Sequence, residues 1–179
     1  MVLLVAALPL CGCDDGGGTA DLTTCWSDAT TGLCWQDPPR DSIANGVGLA
    51  EATSYCASIG DGWRVPTVDE LRSLVRGCDW LETGGGCALT DPGCLNSAGD
   101  CLAGCDTEAT WGDGPGQDGY YQPAELAAIG GNEMVSASRD ESPTCGDDCV
   151  GAWYLDFRSC SVGTSDGFSS VRCVRDTPF

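Results

Sequence analysis

The chain has 179 residues, of which 42 % are hydrophobic and 20 % are charged, and this predicts one domain with a core of moderate size. Twenty-seven acidic residues against eight basic ones give a formal net charge of -19, which repels phosphate backbones and anionic lipid surfaces. Nucleic acid is therefore excluded as a partner. Histidine is absent, which excludes Ser-His-Asp and Cys-His nucleophiles, HExxH zinc chemistry and mixed Cys/His zinc sites.

The first ten residues form an apolar run that is too short to cross a bilayer and is typical of a secretory signal. The sequence Leu10-Cys11-Gly12-Cys13 resembles a bacterial lipobox, in which a small residue precedes the acylated cysteine. We therefore expect a signal peptide over residues 1–12 and lipidation of Cys13, with Cys11 as the weaker candidate. No Lys or Arg precedes the run, so the start lies upstream or the signal is atypical. The alternative is a plain cleaved signal or a buried N-terminal strand.

Residues 13–22 are rich in glycine and polar side chains and are predicted to form a flexible tether. Residues 23–179 are predicted to form a single domain. Membrane contact is expected through the N-terminal lipid only. This predicts an exported lipoprotein of the bacterial cell envelope, on its periplasmic face or on the cell surface.

The chain contains fourteen cysteines, and cleavage before a lipidated Cys13 would leave an even twelve for other bonds. An even, dense set in an exported protein predicts a disulfide framework. Cys25 and Cys34 bracket a stretch of turn residues and are predicted to pair across a hairpin. A metal cluster is the alternative, but the cysteine spacing does not follow the CxxC pattern.

Two amphipathic helices are predicted around a Trp-Arg-Val-Pro corner. Thr67 and Glu70 have the spacing of a capping box, and the apolar positions after them predict a helix from Val68 to Arg76. Pro66 excludes a helix that continues from upstream. An earlier helix that ends at Gly60 is predicted by an apolar stripe of Leu49, Ala52, Cys56 and Ile59.

Residues 77–119 contain many turn residues and almost no apolar periodicity, which predicts a long loop region stapled by cysteines. Flat aromatic rings and carboxylates lie close together at its end, and this combination suits stacking on a sugar ring and bonding its hydroxyls. The candidate ligand-binding residues are Trp111, Asp113, Asp118, Tyr120 and Tyr121. The alternative is that the aromatic rings cap the core and the aspartates form turns.

The end of the chain is predicted to be β-rich. Three short segments separated by turn residues have strand character: Met134–Ser138, Ala152–Phe157 and Ser170–Val174. The alternation of side chains in a strand places Trp153, Leu155 and Phe157 on one face.

Four sequence blocks together resemble the Lcl C-terminal domain family, in particular its cysteine-rich bacterial lipoprotein members. They are TTGLCWQD, YC…GWRVPTVDELRSL, AWYLDFRS and VRCVR, and they follow the family's order from about Cys25 to Arg175. The family is similar to the C-type-lectin-like fold and to the formylglycine-generating sulfatase-modifying enzymes. The resemblance implies an α+β architecture, with two helices packed on a small twisted, mostly antiparallel sheet and a long stapled loop region.

The same resemblance implies a disulfide between Cys56 and Cys173, because the lectin-like fold ties these two positions together. The remaining cysteines are expected to staple the middle of the chain: Cys78, Cys87, Cys94, Cys101, Cys105, Cys145, Cys149 and Cys160.

Metal and cofactor patterns are sparse. The sequence Gln122-Pro123-Ala124-Glu125 superficially resembles the sugar-specifying Gln-Pro-Asp of calcium-dependent lectins but lacks the aspartate, and there is no EF-hand pattern. A calcium-dependent lectin site is therefore not expected, and no cofactor is predicted. Loop carboxylates remain candidates for one structural calcium: Asp91, Asp147 and Asp148.

The leading functional hypothesis is a lipid-anchored binding or adhesion module, not an enzyme, that recognises a glycan, a surface polysaccharide or a surface protein through the loop region. One alternative is a structural envelope lipoprotein without a small ligand. Another is a copper-dependent cysteine oxidase related to the sulfatase-modifying enzymes, which would need free thiols. A hydrolase built on Asp140 and Glu141 is disfavoured because neighbouring acids in a loop are common.

Overall fold

A computed structural model describes residues 25–41, 48–89, 91, 93–96, 102, 104–105, 111–126, 133–142, 151–167 and 170–177. Within these residues the chain has the expected α+β fold, with two helices and two β-sheets. The helices are α1 (Leu49–Ile59) and α2 (Val68–Ser73). The strands are β1 (Cys25–Asp28), β2 (Leu33–Gln36), β3 (Arg40–Asp41), β4 (Glu133–Arg139), β5 (Ala152–Asp156), β6 (Ser161–Ser165), β7 (Ser170–Val171) and β8 (Val174–Asp176).

The two sheets are mostly antiparallel, as expected. Strands β1 and β2 form a hairpin, and β8 pairs with β2 to complete a three-stranded sheet. The second sheet has five strands in the order β3-β7-β4-β5-β6, and its β4–β7 pair is parallel. The predicted strands of the C-terminal part match β4 and β5 to within one residue at each end, whereas β3 and β6 were not predicted.

The five-stranded sheet separates two hydrophobic cores. Met134, Trp153 and Leu155 face the main core, which also contains the buried face of α2. Val135 and Ala152, which alternate with them along β4 and β5, face a smaller core that contains the buried face of α1. The two helices therefore cover opposite faces of this sheet.

Helix α2 begins where the sequence predicts but ends at Ser73, and the predicted end at Arg76 is wrong. The amides of Leu74 and Val75 bond to carbonyls only three residues back. The amide of Arg76 instead donates to the carbonyl of Tyr121 at 3.1 Å. This bond to a distant loop draws the chain out of the helical path, so the last predicted turn does not form.

The predicted strand Ser170–Val174 is also wrong in one respect, because it is divided between the two sheets as β7 and β8. Between them lies Arg172, which is fully buried and donates to the carbonyl of Gln36 and the carboxylate of Asp37. The neighbouring amide of Cys173 donates to the Gln36 side chain at 3.2 Å. These bonds hold the chain as it crosses from one sheet to the other.

Four disulfide bonds join pairs of described cysteines, which confirms the expected use of cysteine for disulfides. They join Cys25 to Cys34, Cys56 to Cys173, Cys78 to Cys160 and Cys87 to Cys105. Cys94 is also disulfide-bonded. The bond from Cys56 ties α1 to the crossing between β7 and β8, over a sequence separation of 117. Such a framework indicates an oxidising, exported environment.

Some of the sequence predictions concern parts of the chain outside the described residues. These are the signal peptide, the tether, lipidation at Cys13 and the bonding of Cys101, Cys145 and Cys149. Neither of the two helices in the described ranges is long and apolar enough to cross a membrane.

The start of α2 combines a capping box with an ion pair. The hydroxyl of Thr67 accepts from the amide of Glu70 at 3.3 Å, and the Glu70 carboxylate accepts from the amide of Thr67 at 2.8 Å. The guanidinium of Arg64 donates to both Glu70 oxygens, at 2.6 and 2.7 Å. Burial by itself raises the pKa of Glu70, but the bonds from Arg64 and Thr67 outweigh it and hold this pKa below its ordinary value.

We predict that Glu70→Gln removes part of the acid sensitivity of folding. Glutamine keeps the capping bonds but not the charge. A carboxyl group with a depressed pKa in the folded state stabilises the fold above its unfolded pKa, and this contribution is lost as the pH falls through the folded pKa. The variant should therefore be less stable than the parent by about 1 kcal/mol near neutral pH and equally stable in strong acid.

Urea unfolding followed by tryptophan fluorescence, at about pH 6 and about pH 3, measures this difference. Arg64→Gln should have the same effect, and the double variant should lose little more than either single one. A stability difference that stays constant over the whole pH range would contradict the prediction.

Candidate ligand-binding groove

A groove of about 570 Å³ lies where the β1–β2 hairpin, the segment after α2 and the end of the loop region meet. The side chains that give it chemical character are Trp26, Asp28, Arg76, Gln122 and Glu125, and Pro115 and Pro123 also line it. A second cavity of about 310 Å³ shares Thr30 and Arg76 with the first. The two cavities therefore adjoin at Arg76, and hydroxyl groups and one carboxylate line the second: Thr31, Ser73, Thr83 and Glu82.

Trp26 is the aromatic residue of the groove. It lies on β1 opposite Trp35, which is fully buried, and it packs partly against the main core. The adjacent disulfide from Cys25 to Cys34 closes the same hairpin. A cross-linked hairpin and a core contact therefore hold the indole in place beside the open part of the groove.

The carboxylate of Asp28 shapes the groove but is not available to a ligand. It is buried, and its two oxygens accept from the amide of Thr30 and the hydroxyl of Thr31, both at 2.9 Å. Asp28 thus fixes the hairpin turn. Glu125, by contrast, is exposed on the lining of the groove. The amide nitrogen of the buried Gln122 donates to the carbonyl of Leu126 at 3.3 Å.

Arg76 is half-buried at the junction of the two cavities. Its Nη1 atom donates to the carbonyls of Ser73 and Val75, each at 2.7 Å, which anchors the guanidinium at the end of α2. Within the described chain, Arg76 forms no ion pair, and its Nε and Nη2 atoms bond to no protein group. These N–H groups are therefore available to a ligand.

Buried Arg72 positions the wall of the second cavity. It is 3 % exposed, and its fork donates to three backbone carbonyls, those of Leu81, Glu82 and Cys87, at 3.0 to 3.2 Å. Burial lowers the pKa of Arg72, and the nearby Asp69 and Asp91 act in the opposite direction. The start of the loop region is thus attached to α2 through backbone atoms.

The structure divides the five candidate residues of the loop region into two groups. Trp111, Asp113 and Asp118 are exposed, and Trp111 is 57 % exposed. Tyr120 and Tyr121 are only 5 % and 4 % exposed and belong to the main core. The amide of Tyr121 donates to the carbonyl of Phe157, which directly follows β5 and belongs to the same core.

Sequence reasoning missed three residues that carry site chemistry: Trp26, Arg76 and Arg158. Arg158 lies against the Trp111 ring, with its Cζ atom 5.2 Å from the ring centroid. For Trp26, the sequence did contain a signal: the residue lies between Cys25 and Cys34, which were predicted to close a hairpin. Nothing local distinguishes Arg76 or Arg158 from a surface arginine.

The structure gives little support to metal or acid chemistry elsewhere. Among the described residues, no group of three or more Cys, Asp or Glu side chains is arranged to hold a metal ion. Of the calcium candidates, Asp147 and Asp148 lie outside the described ranges, whereas Asp91 lies within them. In the Asp140-Glu141 pair, the Asp140 carboxylate accepts from a backbone amide two residues on, which is a turn bond.

We predict that Arg72→Met lowers the free energy of unfolding by about 3 kcal/mol, because it removes the guanidinium donor from the buried carbonyls of Leu81 and Cys87. Methionine keeps the length and apolar contacts of the side chain. Arg139→Met is the matched control, since Arg139 is exposed and should change stability by about 0.5 kcal/mol or less. Chemical denaturation measures both, and equal effects at the two positions would contradict the structural role of Arg72.

Comparison with known proteins adds no relative from which a function could be carried over. No protein-family model matches the chain, and neither a curated protein nor a solved structure matches it.

Proposed function

We propose that the chain is an exported binding module that recognises a neutral glycan in the groove between Trp26, Arg76 and Glu125. The observation that carries the proposal is the guanidinium of Arg76. It is held in place by its bonds to the carbonyls of Ser73 and Val75 and has unused N–H groups beside the indole of Trp26. The groove is open and large enough for sugar rings.

The lining fits the chemistry of a sugar. An indole can stack on the C–H face of a pyranose ring, and fixed donors and acceptors beside it can bond the hydroxyl groups. Arg76 supplies donors and Glu125 supplies an acceptor at the same groove. Because the whole chain carries a formal charge of -19, a polyanionic ligand would be repelled. A neutral glycan is therefore the ligand class that these features favour.

The wider proposal includes membership of the Lcl C-terminal domain family, a C-type-lectin-like fold and a lipid anchor on Cys13. The four sequence blocks support the family, and the lipobox-like sequence supports the anchor. Support for the lectin-like fold comes from the α+β arrangement and from the disulfide between Cys56 and Cys173, which encloses most of the domain.

The two other functional hypotheses have less support. A cysteine oxidase needs free thiols, whereas each of the nine described cysteines is disulfide-bonded. A purely structural envelope protein would not require a groove in which the Arg76 guanidinium is held in place with N–H groups open to a ligand. If the ligand is instead a surface protein, the Trp26 and Arg76 variants described below test that interaction as well.

We predict that Trp26→Leu and Arg76→Gln each weaken glycan binding by about ten-fold or more, because each removes one of the two principal contacts. Leucine preserves the apolar contact with the core, and thermal unfolding of each variant tests that it remains folded. Arg139→Gln removes an arginine outside the groove and should bind as the parent does.

The measurement is binding of the full chain to an array of neutral and acidic glycans, followed by calorimetric titration of the strongest neutral glycan. Failure to bind any neutral glycan would contradict the proposal. So would folded Trp26 and Arg76 variants that bind as tightly as the parent.

A further inference from the structure

Trp111 is the one large hydrophobic side chain that is exposed among the described residues, with 57 % of its surface accessible. A single exposed hydrophobic residue is ordinary in a folded protein. Trp111 differs from such residues because its backbone is rigidly supported, because a cation lies on its ring, and because its loop leads directly into the groove.

The support comes from a compact glycine-rich loop. The amide of Gly112 donates to the carbonyl of Arg158 at 3.0 Å, and the amide of Gly114 donates to the carbonyl of Gly119 at 2.8 Å. Gly119 has a φ of 78° and lies so close to Gly112 that a Cβ atom would overlap the Gly112 carbonyl. The ring therefore projects from a backbone with little freedom, so ligand binding would cost little ordering entropy.

The guanidinium of Arg158 covers part of the Trp111 ring, with Cζ 5.2 Å from the centroid. Arg158 forms no ion pair with a carboxylate in the described part of this acidic chain. The accessible surface of Trp111 then lies away from Arg158. The part of the ring that Arg158 does not cover is open to solvent, and a ligand ring can stack on it.

Trp111 is close to the groove. Pro115 lines the groove and lies four residues after Trp111. Four residues span at most about 14 Å between Cα atoms, even when fully extended, and the turns of this loop shorten that distance. A chain of several sugar rings is long enough to reach from the groove to Trp111.

We propose that Trp111 is a second stacking subsite, so that the protein recognises a glycan polymer and not a single sugar. The inference rests on the proposed glycan-binding function of the groove. Stacking on an open indole favours pyranose rings whose substituents are all equatorial, because such rings have flat C–H faces. The ligand class is therefore a neutral, β-linked polymer of glucose or N-acetylglucosamine type.

The test is calorimetric titration of the full chain with cello-oligosaccharides and chito-oligosaccharides, from the disaccharide to the hexasaccharide. We expect affinity to rise with chain length in at least one series. Trp111→Ala should weaken hexasaccharide binding by about ten-fold and leave disaccharide binding within about two-fold of the parent. Trp111→Phe should retain most of the affinity, and Trp26→Leu should weaken binding at every length.

Three results would overturn the inference. The first is a Trp111→Ala variant that binds the hexasaccharide as the parent does while Trp26→Leu weakens all lengths, which would leave the proposed function intact. The second is an equal loss at every length in Trp111→Ala, which would place Trp111 inside the groove site. The third is binding of neither series. In that case the glycan array decides the proposed function separately, because a different neutral glycan on the array would preserve it.

Discussion

The loop region depends on one buried guanidinium. Arg72 extends from α2 into the main core, and its planar fork bonds the carbonyls of Leu81, Glu82 and Cys87. Burying a charge is costly, and the bonds to three carbonyl oxygens offset part of that cost. The Glu82 carboxylate in turn accepts from the amide of Gly77, which brings the same segment back to the end of α2. These bonds therefore connect the wall of the second cavity to the end of α2, and Arg76 lies between the two.

The architecture assigns separate tasks to separate parts of the chain. The five-stranded sheet and the two helices on its opposite faces form a frame with two cores. The groove lies outside this frame, where three segments distant in sequence meet around Trp26, Arg76 and Gln122. Binding chemistry placed on loops over a rigid frame can change without a change of fold.

The sequence predicted what depends on neighbours along the chain. The capping box of Thr67 and Glu70 is one example, because its two bonds span only three residues and any fold that contains this helix will form them. The end of α2 was mispredicted because the amide of Arg76 bonds to Tyr121, and no local pattern encodes a bond over that distance. The groove was missed for the same reason. Buried Tyr121 and exposed Trp111 are equally aromatic in sequence, and only the packed structure distinguishes a core ring from a surface ring.

The disulfide between Cys87 and Cys105 has a consequence for how this protein can vary. It fixes the two ends of an 18-residue span with their Cα atoms 4.3 Å apart, on the side of the sheet away from α1. Leu89 within this span is fully buried in the main core and Cys94 is disulfide-bonded, so these positions have to be kept. Additional residues elsewhere in the span would cost little, because each doubling of loop length costs only about 0.6 kcal/mol of closure entropy. The domain can therefore accept an inserted recognition sequence between these two cysteines, provided that Leu89 and Cys94 are retained.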